Sequence, residues 1–222
     1  MLPCLCLKVY SMMMNPHKPF VLIGAKGHGM VIAEIIEENG QMISVFVDAD
    51  PQLNEQLGYP VVQRLDAVDT LHDKQVIISI GNNATRKKLA LQHPDLVFGT
   101  AVHPSVKLSK RASVGEGTVV MAGVCINSKA QIGHHCILNT HCSIDHECVL
   151  EDYVHVSPGA SLAGHVTVGE GTHIGTGASV LPNLTIGKWC TIGAGAVVIH
   201  DIPDYTTVVG VPGKVIKMNP HE

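Results

Sequence analysis

The sequence predicts two joined architectures, an N-terminal Rossmann-like α/β subdomain and a long parallel β-helix behind it. Two observations carry this. From Val102 to Val198 an aliphatic residue stands at every sixth position without a miss, as at Val114, Ile126, Leu138, Ile144, Leu162, Ile174 and Ile192. Ahead of that array, the apolar run Phe20 to Ile23 meets Gly24-Ala25-Lys26-Gly27-His28-Gly29 and then an amphipathic stretch. A hexapeptide period is the signature of a parallel β-helix. Strand, glycine loop and helix in that order belong to a mostly parallel α/β sheet.

Each six-residue unit is a short strand of β-branched residues plus a corner that needs positive φ, which Gly, Asn and Asp supply. Three units make one coil of a triangular prism, so residues 18 apart stack at about 4.8 Å. The aliphatic positions then point inward. Four residues after nearly every one comes a small or β-branched residue, as at Ala130, Cys136, Cys142, Cys148, Ala160, Thr172 and Ala178, which suits a narrow, dry core. An amphipathic helix is excluded because a period of six does not match 3.6. The β-helix is expected over residues 101–200, with a C-terminal tail over 201–222 carrying an irregular Gly210-Val211-Pro212-Gly213 loop. Residues 1–19 read as an extension without signal-peptide architecture.

Within residues 20–100 the pattern predicts strands at Phe20 to Ile23, Ile43 to Val47 and Gln75 to Ile80. Helices are expected from about Met30 to Asn39, around Leu65 to Leu71, and from about Thr85 to Gln92. A glycine loop between strand and helix brings backbone N–H groups to an anion at the positive helix end. Gly27, His28 and Gly29, with Asp48 and Asn82 at two further strand ends, are therefore candidate ligand contacts on one sheet edge. The spacing is GxxGxG rather than the dinucleotide GxGxxG, so a tight turn without a ligand stands beside this reading.

The chain has 222 residues and a net charge of −4, with no long basic run, which argues against a nucleic-acid partner. No apolar run approaches bilayer length, and a cytoplasmic location is expected. Of the seven cysteines, Cys136, Cys142, Cys148 and Cys190 occupy inward small-residue slots. They read as core fillers rather than a disulfide framework or a zinc site, since no CxxC spacing exists. Histidine is abundant, with 14 in all. Most should be solvated corner residues, but His146 is flanked by Asp145 and Glu147, and a neighbouring carboxylate can hold an imidazole in the tautomer a general base needs. His155 and His173, 18 apart, should stack. His146 and His165 fall on successive coils of another face.

Further motifs join these: Ile80-Gly81-Asn82-Asn83 with Arg86-Lys87-Lys88, Leu138-Asn139-Thr140, Val154-His155-Val156-Ser157-Pro158-Gly159-Ala160, Val180-Leu181-Pro182-Asn183 and Val209-Gly210-Val211-Pro212-Gly213-Lys214. Together with the glycine loop and Ile144-Asp145-His146-Glu147-Cys148, they make the chain resemble the NeuD/PglD-type sugar acyltransferases from Phe20 to Ile216. The resemblance implies that the β-helix is left-handed, an exception to the usual crossover rule, and that the enzyme is a homotrimer with its sites between subunits. It implies acetyl-CoA as co-substrate and no metal. His146 is then the catalytic base supported by Glu147. His155, Gly164 and Gly175 lie along acetyl-CoA, while Gly27, His28, Gly29, Asp48 and Asn82 hold a nucleotide-linked sugar. Relatives often carry tandem acidic residues where this chain has Asp48-Ala49-Asp50.

The activity expected on this basis is acetyl transfer from acetyl-CoA to the 4-amino group of a UDP-linked amino-dideoxy sugar. The nearest rival keeps the fold and acetylates a hydroxyl of a sialic-acid-like sugar. A more distant one is a γ-type carbonic anhydrase with zinc on His141, His155 and His165. A non-catalytic scaffold is the remaining alternative.

Overall fold

The structure, a computed structural model, describes residues 18–218. The expected extension therefore lies outside the described residues, apart from Lys18 and Pro19. The chain divides into two compact units, the first ending at Pro104 and the second beginning at Ser105.

In the first unit β1 (Phe20–Ile23), β2 (Ile43–Val47), β3 (Glu55–Gln56), β4 (Tyr59–Val62) and β5 (Gln75–Ile78) form one sheet in the order β3-β4-β2-β1-β5. All pairings are parallel except β3 with β4. The central strand β1 is buried along its whole length, which is why it reads as a continuous apolar run. Helix α1 (Gly27–Glu38) buries Ile32, Ala33, Ile35 and Ile36, and α2 (Asn83–Gln92) follows β5. Both helices begin earlier than the pattern predicted. The stretch expected to be helical around Leu65 to Leu71 is instead two short 3₁₀ turns, Leu65–Ala67 and Leu71–Asp73. Its apolar residues Leu65, Val68 and Leu71 fall three apart, the repeat of a 3₁₀ turn, and no residue of either turn is buried.

The second unit is the β-helix. Its strands are two residues long and pair in parallel at a spacing of 18, as Ile126 with Ile144 and Ile144 with Leu162. One sheet stacks the strands containing Leu108, Ile126, Ile144, Leu162, Val180 and Val198, and a second those containing Val114, Ile132, Leu150, Val168 and Ile186. The third includes those containing Val120, Leu138, Val156, Ile174 and Ile192. From Val114 to Val198 each sixth-position aliphatic is buried, and Leu108 in the first coil is half-buried. Cys136, Cys142, Cys148 and Cys190 are buried as well. Burial pushes the Cys142 thiol up to about 12 and those of Cys148 and Cys190 upward too. These thiols stay protonated and fill the core.

The tail is more ordered than expected. Thr206–Val209 adds a parallel strand beside Thr191–Ile192, and Lys214–Met218 folds back on it antiparallel. The Gly210 to Gly213 loop is the turn of that hairpin. Every sixth residue from Gly117 to Gly195 has positive φ. Two corner columns contain glycines at this position, but the third is Lys129, Glu147, His165 and Asn183, at φ of 63°, 60°, 60° and 64°. Non-glycine residues there accept backbone strain of about 1–3 kcal/mol each.

Candidate functional site

Because Lys129, Glu147 and His165 are 18 apart at the same corner position, their side chains form a vertical ladder. Lys129 Nζ lies 3.0 Å from Glu147 Oε1, and His165 Nε2 lies 3.1 Å from Glu147 Oε2. His146, one residue before Glu147, places Nδ1 3.3 Å from the same Oε2. The two imidazoles meet edge to face with centroids 5.1 Å apart. Lys129 above all, then His146, hold the Glu147 carboxyl below the usual range, so it is an anion where it meets both rings. Asp145 fixes the corner from the other side. It accepts from the His146 backbone N–H at 2.7 Å and from Asn127 Nδ2 at 2.8 Å, and these bonds keep it ionised.

Gly164 stacks on the coil after His146. A Cβ at Gly164 would stand 2.5 Å from His146 Cε1 and 2.6 Å from Nε2, so the imidazole lies directly on glycine backbone and any side chain would displace it. His146, Glu147 and Gly164 are thus brought together. His146 and His165 are exposed on one side while Glu147 is partly covered. His155 is on a different sheet. It stacks on His173 with centroids 4.6 Å apart and planes within 11°, and its Nε2 lies 3.3 Å from Asn139 Nδ2. Ser157 Oγ is 2.7 Å from His173 Nε2. Gly175 packs against the next coil, where a Cβ would meet Ile192 O at 2.5 Å.

Among the described residues, the group of three possible metal ligands that converges within one chain is His146, Glu147 and His165. The set His141, His155 and His165 does not converge there. His141 packs over Gly123 and His155 over His173, on separate faces, because their spacings of 14 and 10 are not multiples of 18.

In the first unit, α1 begins at Gly27, so Gly27, His28 and Gly29 are its first turn. The first turn of a helix is where backbone N–H groups can receive an anion. Gly29 is required sterically, since a Cβ would sit 2.2 Å from Gly24 O. Ser79 Oγ donates to Gly24 O at 2.6 Å and to Ile23 O at 2.9 Å. Asp48 spends its oxygens on backbone, Oδ2 accepting from Ala25 N at 2.9 Å and Oδ1 from Asp50 N at 3.1 Å. Asp50 pairs with Lys26 at 3.1 Å. Asn82 caps α2, accepting from Thr85 N at 2.9 Å. Both side chains therefore build the loops before they touch any ligand.

Sequence reasoning missed Arg86, whose side chain is fully buried. Its guanidinium donates to Ile80 O at 3.0 Å, Gly81 O at 3.3 Å and Asn83 Oδ1 at 2.9 Å. Burial, and then the charge of Arg86, push the pKa of His28 from 6.5 down to about 4. The unfolded chain takes up that proton as pH falls through 6.5, while the folded chain resists until about 4. Stability from this residue is thus complete above 6.5 and is lost as pH drops toward 4, by on the order of 3 kcal/mol at most. Urea unfolding followed at pH 7.5 and 5 should show the first unit weakening, and His28→Asn should flatten that dependence. An unchanged slope in the variant would assign the acid sensitivity elsewhere.

Two family models match the chain, the PglD N-terminal domain over residues 20–92 and the bacterial transferase hexapeptide (six repeats) over residues 165–200. Over 90% of its length the chain is similar to a variant of perosamine N-acetyltransferase from Caulobacter crescentus, solved with CoA and GDP-perosamine. The identity is 38%, 98% of that chain is covered, and the TM-score is 0.86. The acetyltransferase domain of PglB from Neisseria gonorrhoeae, solved with acetyl coenzyme A, is 35% identical, is covered over 99% and gives a TM-score of 0.85. A UDP-N-acetylbacillosamine N-acetyltransferase from Bacillus subtilis is 41% identical over 114 residues, which are 47% of this chain and 52% of that protein. The chain spans about half the length of the curated relatives it matches. Among the described residues no helix is long and apolar enough to cross a membrane.

Proposed function

Since this chain belongs to the PglD-like family of hexapeptide-repeat, left-handed β-helix sugar acyltransferases, we propose that it transfers acetyl from acetyl-CoA to the amino group of a nucleotide-linked amino sugar. The 4-amino group of a UDP-linked amino-dideoxy sugar is the acceptor this reading puts first. The observation that carries it is the His146 imidazole, held through Nδ1 by an ionised Glu147 and laid over the backbone of Gly164. An imidazole whose Nδ1–H faces a carboxylate keeps a lone pair on Nε2.

In the proposed reaction the sugar amine attacks the thioester carbonyl as His146 Nε2 removes its proton. The tetrahedral oxyanion is met by backbone N–H near Gly164. Collapse expels the CoA thiolate, which takes a proton from the imidazolium. Glu147 orients His146 and stabilises its charged form throughout. No covalent enzyme intermediate is called for. His155 and Gly175 are assigned to the acetyl-CoA side. Gly27, His28 and Gly29 are assigned to the diphosphate, with Asp48 shaping that loop and Asn82 the neighbouring one. A homotrimer with sites between subunits belongs to the same reading.

The test is CoA release measured across UDP-linked 4-amino sugars, GDP-perosamine, CMP-sialic acid and free sialic acid. The expected result is release with an amino sugar and none with sialic acids. Release only with a sialic acid would replace amine by hydroxyl transfer, and release with neither would remove the assignment.

A further inference from the structure

We infer that His146 Nδ1, Glu147 Oε2 and His165 Nε2 form a zinc-binding site, and that a bound zinc ion switches off the proposed transfer. One ligand atom from each of the three residues lies within 4.8 Å of the other two. Zinc bonds of about 2.0–2.1 Å at tetrahedral angles set ligand atoms about 3.3 Å apart. The His146–Glu147 and His165–Glu147 separations, 3.3 and 3.1 Å, already match. The remaining edge would close by rotation of the two imidazoles, both exposed on one side. Two imidazoles and one carboxylate, with a fourth position open, suit zinc, whereas magnesium and calcium require oxygen donors.

The corner geometry makes the ligand set. Glu147 and His165 share the left-handed column, so their side chains leave the coil in parallel, and His146 is adjacent in the chain. Lys129 opposes a cation by occupying Glu147 Oε1. Its ammonium sits on a long, exposed side chain that can swing into water, so it competes with the metal without blocking it.

The inhibitory consequence rests on the function proposed above. Zinc on Nδ1 of a neutral imidazole leaves the proton on Nε2, the nitrogen that must accept the amine proton. The ion also takes the Glu147 oxygen that orients the ring. Zinc binding itself does not depend on that function.

Metal-stripped protein is titrated with cobalt(II), whose tetrahedral complexes absorb strongly in the visible, and then with zinc chloride by calorimetry. The expected result is one cobalt per chain with tetrahedral bands that zinc displaces. His165→Asn should weaken binding at least about tenfold, and Lys129→Gln should tighten it. Inhibition, taken relative to each protein's own metal-free rate, should follow the same order and reverse with a chelator. Equal binding by wild type and His165→Asn would overturn the site. Tight binding with unchanged transfer would overturn the inhibitory role. If metal-free protein transfers acetyl to none of the amino sugars, the functional assignment fails, and the cobalt bands still decide the site.

Discussion

His146→Asn should lower the rate of acetyl transfer at saturating substrates by about 10²–10⁴-fold, the range contributed by a positioned general base. Asparagine keeps a side-chain amide able to face Glu147 but offers no basic nitrogen at the Nε2 position. His146 is exposed on one side, so the β-helix should melt close to the wild-type temperature. Glu147→Gln should cost less, because it weakens the orientation of the ring while leaving its lone pair. The double variant should be little worse than His146→Asn alone, since the carboxylate acts through the imidazole. Turnover in His146→Asn within a few-fold of the wild-type rate, by CoA release, would remove His146 from the mechanism.

The fold was largely legible because its rules are local. A period of six with an aliphatic at each repeat permits one solution, and from Val114 to Val198 the structure buries each of those residues. His146 could be selected from the sequence since its carboxylate neighbours are adjacent in the chain. The contact between His165 and Glu147 was harder to see. The numbers 129, 147 and 165 carry the 18-residue spacing, but only the shared positive φ shows that this column projects its side chains together. At Asp48 and Asn82 the sequence shows a polar side chain at a strand end without showing whether it turns outward or folds back onto a backbone N–H. Both fold back. The start of α1 was placed three residues late because glycines read as loop. The first helical turn needs no i→i−4 bonds, so Gly27 and Gly29 cost it less than glycines mid-helix would. Arg86 was hidden in the run Arg86-Lys87-Lys88, which gives no sign that its first member points inward.

That buried arginine has the largest expected effect on stability. Arg86→Met should destabilise the first unit by about 3 kcal/mol, since the buried Asn83 Oδ1 left without its donor costs about 1–3 kcal/mol and the part-buried Ile80 O and Gly81 O add less each. Ile80 O, Gly81 O and Asn83 Oδ1 would lose the guanidinium at once. These acceptors form the turn between β5 and α2, where Asn82 caps the helix, so the loop should loosen with the loss of stability. Arg86→Lys should rescue only part, because an ammonium keeps the charge but not the planar fork that reaches three acceptors. The charge has a second readout. Arg86 contributes to holding His28 near 4, so in Arg86→Met the His28 pKa should rise toward its ordinary value and the acid weakening below pH 6.5 should shrink. Desolvation is the larger cause and remains, so the rise should be partial. Chemical denaturation at neutral pH and NMR titration of His28 check the two effects separately. A variant as stable as wild type would mean that water or the relaxed turn replaces the guanidinium, and the arginine would then matter for its charge alone.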